Sequence, residues 1–229
     1  MKKKPVLYAE AAYFLGLVIL ALGTALMEKA NFGMSMVVAP AYLLHLKISE
    51  TLPLFSFGMA EYTLQAVIIV LLAIVMRRFK LSYLFSFCTA VIYGLTLDGV
   101  MMMMGGLPAA SMALRMVYYL LGMLLCSIGM SLLFHTYIAP EAYELFVKEV
   151  SAKTRMDIHR FKTMYDCVSC GIGVILSFAF FGLWHFEGVK LGTIFCALIN
   201  GSIIGWCTKC FEARFAFKDG LKLRSAFEK

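Results

Sequence analysis

Six apolar segments dominate the chain, and each is long enough to cross the hydrocarbon core of a membrane. They cover residues 11–30, 60–76, 82–102, 113–134, 163–183 and 191–207. A helix rises about 1.5 Å per residue, so about 20 residues span a core of about 30 Å. Composition agrees, because 62% of the 229 residues are hydrophobic and only 15% are charged. The sequence therefore excludes disordered, coiled-coil and disulfide-rich classes and predicts an all-α integral membrane protein.

The basic residues are distributed unevenly between the two sides of this predicted topology. With the N-terminus inside, all but four of the 21 Lys and Arg residues fall on the cytoplasmic side, the exceptions being Lys29, Lys47, Arg115 and Lys190. An excess of Lys and Arg in cytoplasmic loops sets orientation. We therefore expect both termini inside and an uncleaved first span. The net charge of +7 then orients the chain and attracts anionic lipid, and we expect no nucleic-acid partner.

Short sequence matches relate the two halves of the chain. Gly16 and Gly23 correspond to Gly122 and Gly129, and further matches join residues 39–44 to 139–145, 59–62 to 164–167 and 88–94 to 196–201. Each half holds three predicted spans, so the second half enters the membrane upside down. We predict one three-helix repeat at 1–108 and a second, inverted repeat at 109–210. Residues 211–229 form a basic cytoplasmic tail, either an amphipathic helix on the inner leaflet or a disordered segment.

A short segment follows the first span of each half. Pro favours the first turn of a helix, so Pro40 and Pro140 predict short helices within residues 34–48 and 140–151. Inversion of the halves places these helices at opposite membrane faces. They either dip into the bilayer as re-entrant helices, which would line a pathway, or lie on its surface as anchors.

Several motifs resemble the YczE/YitT-like bacterial membrane proteins. They are Ala-Asn-Phe-Gly-Met-Ser at 30–35, the segments 138–142 and 161–166, and the distinctive Gly-Val-x-x-Gly-Thr-Ile pattern at 188–194. The resemblance covers nearly the whole chain, although Met36 stands where the family often has Pro. It implies a six-span protein of the bacterial inner membrane without an established biochemical activity.

Ionisable side chains within apolar spans are costly and usually face a cavity or a partner. Glu61, Asp98 and Asp166 are three such acids, and the sequence places Asp98 deepest. Glu61 and Asp166 are repeat equivalents, so the inversion puts one acid near each face, as a carrier of protons or cations needs. The predicted substrate or ion pathway comprises Gly33, Ser35, Pro40, Glu61, Asp98, Pro140, Glu141, Lys162 and Asp166.

A simpler interpretation of the same residues stays open. The three acids then lie at the rim, satisfied by water or by salt bridges. Lys162 precedes Asp166 by four residues and pairs with it on one helical face. Glu141 is then only a favourable negative charge near a helix N-terminus.

Two Cys-x-x-Cys pairs, Cys167/Cys170 and Cys207/Cys210, are predicted near the cytoplasmic ends of the fifth and sixth spans. Four thiolates can hold zinc or an iron–sulfur cluster, but cysteine also packs well between helices. Both pairs lie on predicted helices without turn residues, so we expect no metal and no cofactor. The sequence contains no HExxH pattern, nucleophile elbow or P-loop, and we expect no enzyme.

These features favour a small secondary transporter or exporter of an unidentified small molecule or ion, with its site between the two repeats. Two alternatives stay open. One is a regulatory or scaffold partner that acts through its cytoplasmic face, and the other is the substrate-binding subunit of an energy-coupling vitamin importer. The lipid bilayer and a small substrate are the expected partners, and a homo-oligomer is compatible with the sequence.

Overall fold

The computed structural model describes residues 4–108, 111–156, 158–182 and 187–221, which are mostly helical. Over these residues the chain forms eight helices: α1 Ala9–Ala30, α2 Ala39–Ser49, α3 Phe57–Met76, α4 Leu81–Met104, α5 Met112–Leu133, α6 Ala142–Thr154, α7 Ile158–Phe181 and α8 Leu191–Arg214. Two strands, β1 Val6–Tyr8 and β2 Ala216–Lys218, flank them.

Six of these helices are long and apolar enough to cross a membrane, namely α1, α3, α4, α5, α7 and α8. They overlap the six predicted segments, and most ends agree within a few residues. The largest differences are the later end of α8 and the earlier start of α7. The predicted end of the fifth span at residue 183 lies outside the described residues. The chain is therefore an all-α integral membrane protein, as predicted.

Local chemistry sets several helix ends. The side chains of Ser56 and Ser111 begin α3 and α5 by accepting a hydrogen bond from the backbone N–H three residues further on. Asn31, Arg77 and Arg155 end α1, α3 and α6 in the left-handed conformation, with φ of 55°, 54° and 55°. These caps separate the spanning helices from their connections.

The centre of the fold is the contact between α1 and α5. Gly16 lies against Gly129 and Gly23 lies against Gly122, so the two helices run antiparallel. A Cβ atom added to Gly23 would lie 2.6 Å from the backbone nitrogen of Cys126. Glycine is therefore required for the two backbones to approach, which is a common basis of helix association in membranes.

The other helices pack around this contact in matching pairs. α1 contacts α4 while α5 contacts α8, and α3 contacts α6 while α2 contacts α7. The order long, short, long, long occurs twice along the chain. Two pairings have no match over the described residues: α3 packs on α4 and α4 contacts α6, whereas neither α7 with α8 nor α8 with α2 shares an extended contact.

Both predicted short helices are present, as α2 and α6. α6 runs alongside α3 in the same direction, beginning beside Gln65 in the middle of α3 and ending beside Val75. α2 begins beside Gly173, which lies within α7. Because α3 is long enough to span a membrane, the N-terminus of α6 lies level with the middle of a candidate span.

The two ends of the described chain meet. β1 and β2 pair in parallel, with Val6 opposite Ala216. In the described part of the predicted tail at 211–229, residues 211–214 complete α8 and β2 follows. The pairing of β2 is a long-range contact, because its backbone partners lie in β1 near the other end of the described chain. Residues 222–229 lie outside the described residues.

Candidate functional site

Two buried carboxyl groups meet where α6 begins beside α3. Glu61 and Gln65 lie one turn apart on α3 and therefore share a helical face. Glu141 is the residue immediately before α6, and Tyr143 lies in its first turn. We call these four residues the buried acidic site.

Hydrogen bonds join the two helices at this site. The Tyr143 hydroxyl donates to Glu61 Oε2 at 2.7 Å. The Gln65 side chain is used at both ends: its Nε2 donates to Glu141 Oε2 at 3.5 Å, and its Oε1 accepts from the Ala142 N–H at 3.0 Å. Each carboxyl group is therefore held by one neutral donor from the opposite helix.

Neither carboxyl group is fully satisfied. Glu61 and Gln65 are 0% exposed and Glu141 is 7% exposed. The Oε1 atoms of both glutamates are buried and have no hydrogen-bond partner among the described residues. The described part of the chain also places no Lys, Arg or His nitrogen within 4.0 Å of either group. A buried carboxylate without a cation is strongly unfavourable, so such a site favours binding a proton or a cation.

Burial raises the pKa values of Glu141 and Tyr143, the two ionisable residues of the site at the start of α6. It raises the pKa of Glu141 to about 8, and the neighbouring carboxylates of Glu61 and Glu144 act in the same direction. Lys162 and the Gln65 hydrogen bond oppose this effect. Burial and the Glu61 carboxylate likewise raise the pKa of Tyr143 well above its usual value, so its hydroxyl stays a donor.

Hydroxyl groups on α4 hold the segment that leads into α6. Ser86 donates to the carbonyl oxygen of Pro140 at 2.6 Å, and Thr89 donates to that of Ala139 at 3.0 Å. The hydroxyl of Tyr13 on α1 donates to Thr89 at 2.9 Å. These bonds fix the position of Pro140, and through it the position of Glu141.

The predicted residues of α7 lie beside α6. Lys162 Nζ donates to Glu144 Oε1 at 2.8 Å and lies 3.6 Å from Asp166 Oδ1. The expected pairing of Lys162 with Asp166 is therefore present. Lys162 also interacts electrostatically with Glu141. The structure thus gathers Glu61, Pro140, Glu141, Lys162 and Asp166 around the start of α6.

Asp98 makes different contacts from those of the buried acidic site. Its carboxylate accepts from Ser56 Oγ at 2.5 Å and from the Gly58 N–H at 2.8 Å. It therefore satisfies free donors at the N-terminus of α3, which is a favourable place for a negative charge. Asp98 is also partly exposed, whereas Glu61 is fully buried.

Gly33, Ser35 and Pro40 lie around the start of α2. Gly33 has φ of 111°, and a Cβ atom there would lie 2.5 Å from Thr193 Oγ1. The Ser35 carbonyl accepts the Ala39 N–H at 2.8 Å, and Pro40 is buried in the first turn. Two motifs that carry the family resemblance, at 30–35 and 188–194, therefore pack against each other.

The sequence prediction did not include Gln65 and Tyr143. A signal for Gln65 was present, because it is a polar residue in an apolar span, one turn after Glu61. Tyr143 follows Pro140 and Glu141 closely, but its bond to Glu61 depends on the packing of α6 on α3. Only the tertiary structure shows that contact.

The cysteine pairs do not form a metal centre in the described part of the chain. All seven cysteines are free thiols. Cys167 and Cys210 are exposed, Cys170 is partly buried and Cys207 is buried. Among the described residues, no three His, Cys, Asp or Glu side chains are grouped so that they could hold a metal ion.

The fold and the site define a helical multi-pass membrane protein with paired carboxyl groups buried between its helices. Residues 7–209 match the model of a family of unknown function, DUF6198, and the chain belongs to this family. Comparisons with curated proteins and with solved structures give no match. The narrower resemblance to YczE/YitT-like proteins stays a prediction, because the family description names no activity.

Proposed function

We propose that this protein is a small secondary transporter that moves an unidentified solute or ion, coupled to a proton bound at Glu61 and Glu141. The observation that carries the proposal is the pair of unpartnered carboxyl oxygens at the level of the middle of α3. Two carboxylates cannot both stay ionised in such a place, so protonation changes the charge of the site by at least one. A change of this kind is what a coupled carrier requires.

The proposal includes an inverted repeat whose halves are residues 1–108 and 109–210, with α2 and α6 as re-entrant helices. It is supported by the antiparallel contact of α1 with α5, in which Gly16 meets Gly129 and Gly23 meets Gly122. Because Gly16 and Gly23 are matched in sequence to Gly122 and Gly129, one contact maps onto the other when the halves are exchanged. Many secondary transporters have this symmetry and bind substrate at the interface of the repeats.

The proposed orientation places both termini in the cytoplasm of a bacterial cell, with the protein in the inner membrane. The pairing of β1 with β2 supports the placement of both termini on the same side. The excess of Lys and Arg on that side supports a cytoplasmic assignment.

Solute-driven proton movement tests the transport proposal. Purified protein is reconstituted in liposomes that contain a pH-sensitive dye, and amines, amino acids, organic anions and monovalent cations are added in turn. We expect at least one of these solutes to change the internal pH, and we expect Glu61→Gln and Glu141→Gln to abolish that change. Glu50→Gln removes an exposed carboxylate paired with Lys47 and serves as the control. If no solute moves protons, or if both site variants behave like the control, the transport proposal is wrong.

A further inference from the structure

A second feature of α6 lies at its other end, away from the buried acidic site. The last turns of α6, the end of α3 and the connection to α4 line an open surface cavity of about 370 Å³. Four basic side chains line it, those of Arg78, Lys80, Lys148 and Lys153, and Glu149 is the one acid among the lining residues.

The acid neutralises only part of this positive charge. Lys80 Nζ lies 2.6 Å from Glu149 Oε1, and Arg78 Nη2 lies 3.9 Å from Glu149 Oε2. Lys153 donates to the carbonyl oxygen of Val75, a neutral partner. Lys148 is exposed and has no ionic partner among the described residues. Four cations against one anion leave a formal excess of three positive charges in one cavity.

The cavity also borders the start of α4, and a buried hydroxyl group lies in the first turn of that helix. Lys80 is the residue before α4, a helix of 24 residues whose first backbone N–H groups favour an anion. Tyr83, in the first turn of α4, is 0% exposed. Its hydroxyl oxygen has no hydrogen-bond partner among the described residues, and it interacts electrostatically with Arg78 and Glu149.

Apolar side chains lie at the cavity and next to its lining residues along the chain. Met76 lines it, and the neighbouring Phe79 and Leu81 are 65% and 52% exposed. These residues lie where two candidate spans, α3 and α4, end and begin. A basic cavity beside exposed apolar side chains at the end of spanning helices matches the border between lipid headgroups and acyl chains.

We propose that this cavity binds a phosphate-bearing anion through Arg78, Lys148 and Lys153. Arginine and lysine are the side chains best suited to phosphate, and the uncompensated charge favours a singly or doubly negative group. The phosphate can belong to an anionic phospholipid or to a free ion, and the two sources differ in the test below. This inference is independent of the proposed transport function.

Binding is measured on the full-length protein in a neutral detergent. The probes are short-chain phosphatidylglycerol, phosphatidylcholine of the same chain length and inorganic phosphate. The test variant is Lys148→Gln/Lys153→Gln, and the control is Lys209→Gln/Arg214→Gln, which removes two exposed basic residues of α8. A charge-preserving variant, Lys148→Arg/Lys153→Arg, separates loss of binding from loss of fold.

We expect phosphatidylglycerol to bind the protein. Its affinity for the test variant should be roughly 30-fold lower, because each of the two basic residues contributes about 1 kcal/mol. The control and the arginine variant should bind like the unaltered protein, and phosphatidylcholine should bind weakly. If inorganic phosphate binds with the same dependence on the two lysines, the anion is a free phosphate. If the test variant and the control bind phosphatidylglycerol equally, or if phosphatidylcholine binds as tightly, the cavity is not a phosphate site.

Discussion

The pair α3–α4 and the pair α7–α8 occupy corresponding places in the two halves of the chain but differ in packing. Gly94 on α4 lies so close to α3 that a Cβ atom there would be 2.7 Å from the Gly58 carbonyl oxygen. Gly201, its sequence match on α8, has no atom within 4 Å of such a Cβ. In α3 and α4, 33% of the most apolar stretch is buried, against 17% in α7 and α8.

The difference shows that matching residues do not produce matching contacts in the two halves. Glycine allows close helix approach, but a partner helix must be present for the approach to occur. The proposed function gives this asymmetry a role, because a carrier built from inverted repeats exchanges the arrangements of its halves. One helix of the closed pair, α3, also contributes Glu61 and Gln65 to the buried acidic site.

Gly94→Ala tests this comparison with the largest expected effect. The added methyl group meets backbone atoms of α3, so we expect a loss of about 3 kcal/mol in the free energy of unfolding. Gly201→Ala is the matched control in the other half, where we expect a gain of about 0.5 kcal/mol because alanine favours a helix. Unfolding in mixed detergent micelles measures both changes. Equal effects would show that α8 is packed as closely as α4.

Tyr143→Phe tests whether the tyrosine hydroxyl at the start of α6 contributes more to stability than the tyrosine hydroxyl at the start of α2. The change leaves the buried Glu61 Oε2 without its donor, so we expect a loss of about 2 kcal/mol. Tyr42 also follows an Ala-Pro pair, but the described residues give its hydroxyl no hydrogen bond. Tyr42→Phe should therefore change stability by less than about 0.5 kcal/mol in the same unfolding assay. A smaller loss for Tyr143→Phe than for Tyr42→Phe would contradict the described contact.

The pH dependence of stability gives the most specific signal. Burial raises the pKa of Glu141 to about 8 from an ordinary value of 4.5, so the folded protein binds this proton more tightly than the unfolded chain. The stability from this group is therefore full below about pH 4.5 and is lost as the pH rises toward 8. We expect a slope of up to about 1 kcal/mol per pH unit between these values.

Glu141→Gln should flatten this slope in a series of melting curves, because the amide does not titrate. Glu50→Gln, which changes an exposed carboxylate at the end of α2, should leave the slope as it is. If stability changes with pH by the same slope in the unaltered protein and in Glu141→Gln, Glu141 is ionised in the folded state.

Much of the fold could be predicted because it follows from the lengths of the apolar segments and from local residues that mark helix starts. The six spans, α2 and α6 all lie close to their predicted positions, and Pro40 and Pro140 mark the starts of the short helices. The tail could not be predicted in this way. β2 depends on β1, which lies about 210 residues away in sequence, and no local sequence pattern predicts such a distant partner.

The candidate site could be predicted only in part. Glu61 was identified because a carboxyl group in an apolar span is costly wherever the helices pack. Glu141 was noted only because it follows Pro140 at a predicted helix start. Asp98 was identified on the same ground as Glu61, but the donors that compensate its charge, Ser56 and Gly58, come from the start of α3 and could not be predicted. The cost of burial is a property of one residue, whereas its compensation is a property of the tertiary contacts.

Carbodiimide labelling tests the central claim most directly, because dicyclohexylcarbodiimide reacts with protonated carboxyl groups in apolar surroundings. The protein is labelled in liposomes from pH 6 to pH 9, and the modified residues are identified by mass spectrometry. We predict labelling of Glu61 or Glu141 at pH 6 that decreases as the pH passes about 8, with no labelling of the exposed Glu50. Absence of labelling at both glutamates at pH 6, or labelling that does not change with pH, would contradict a shared proton at this site.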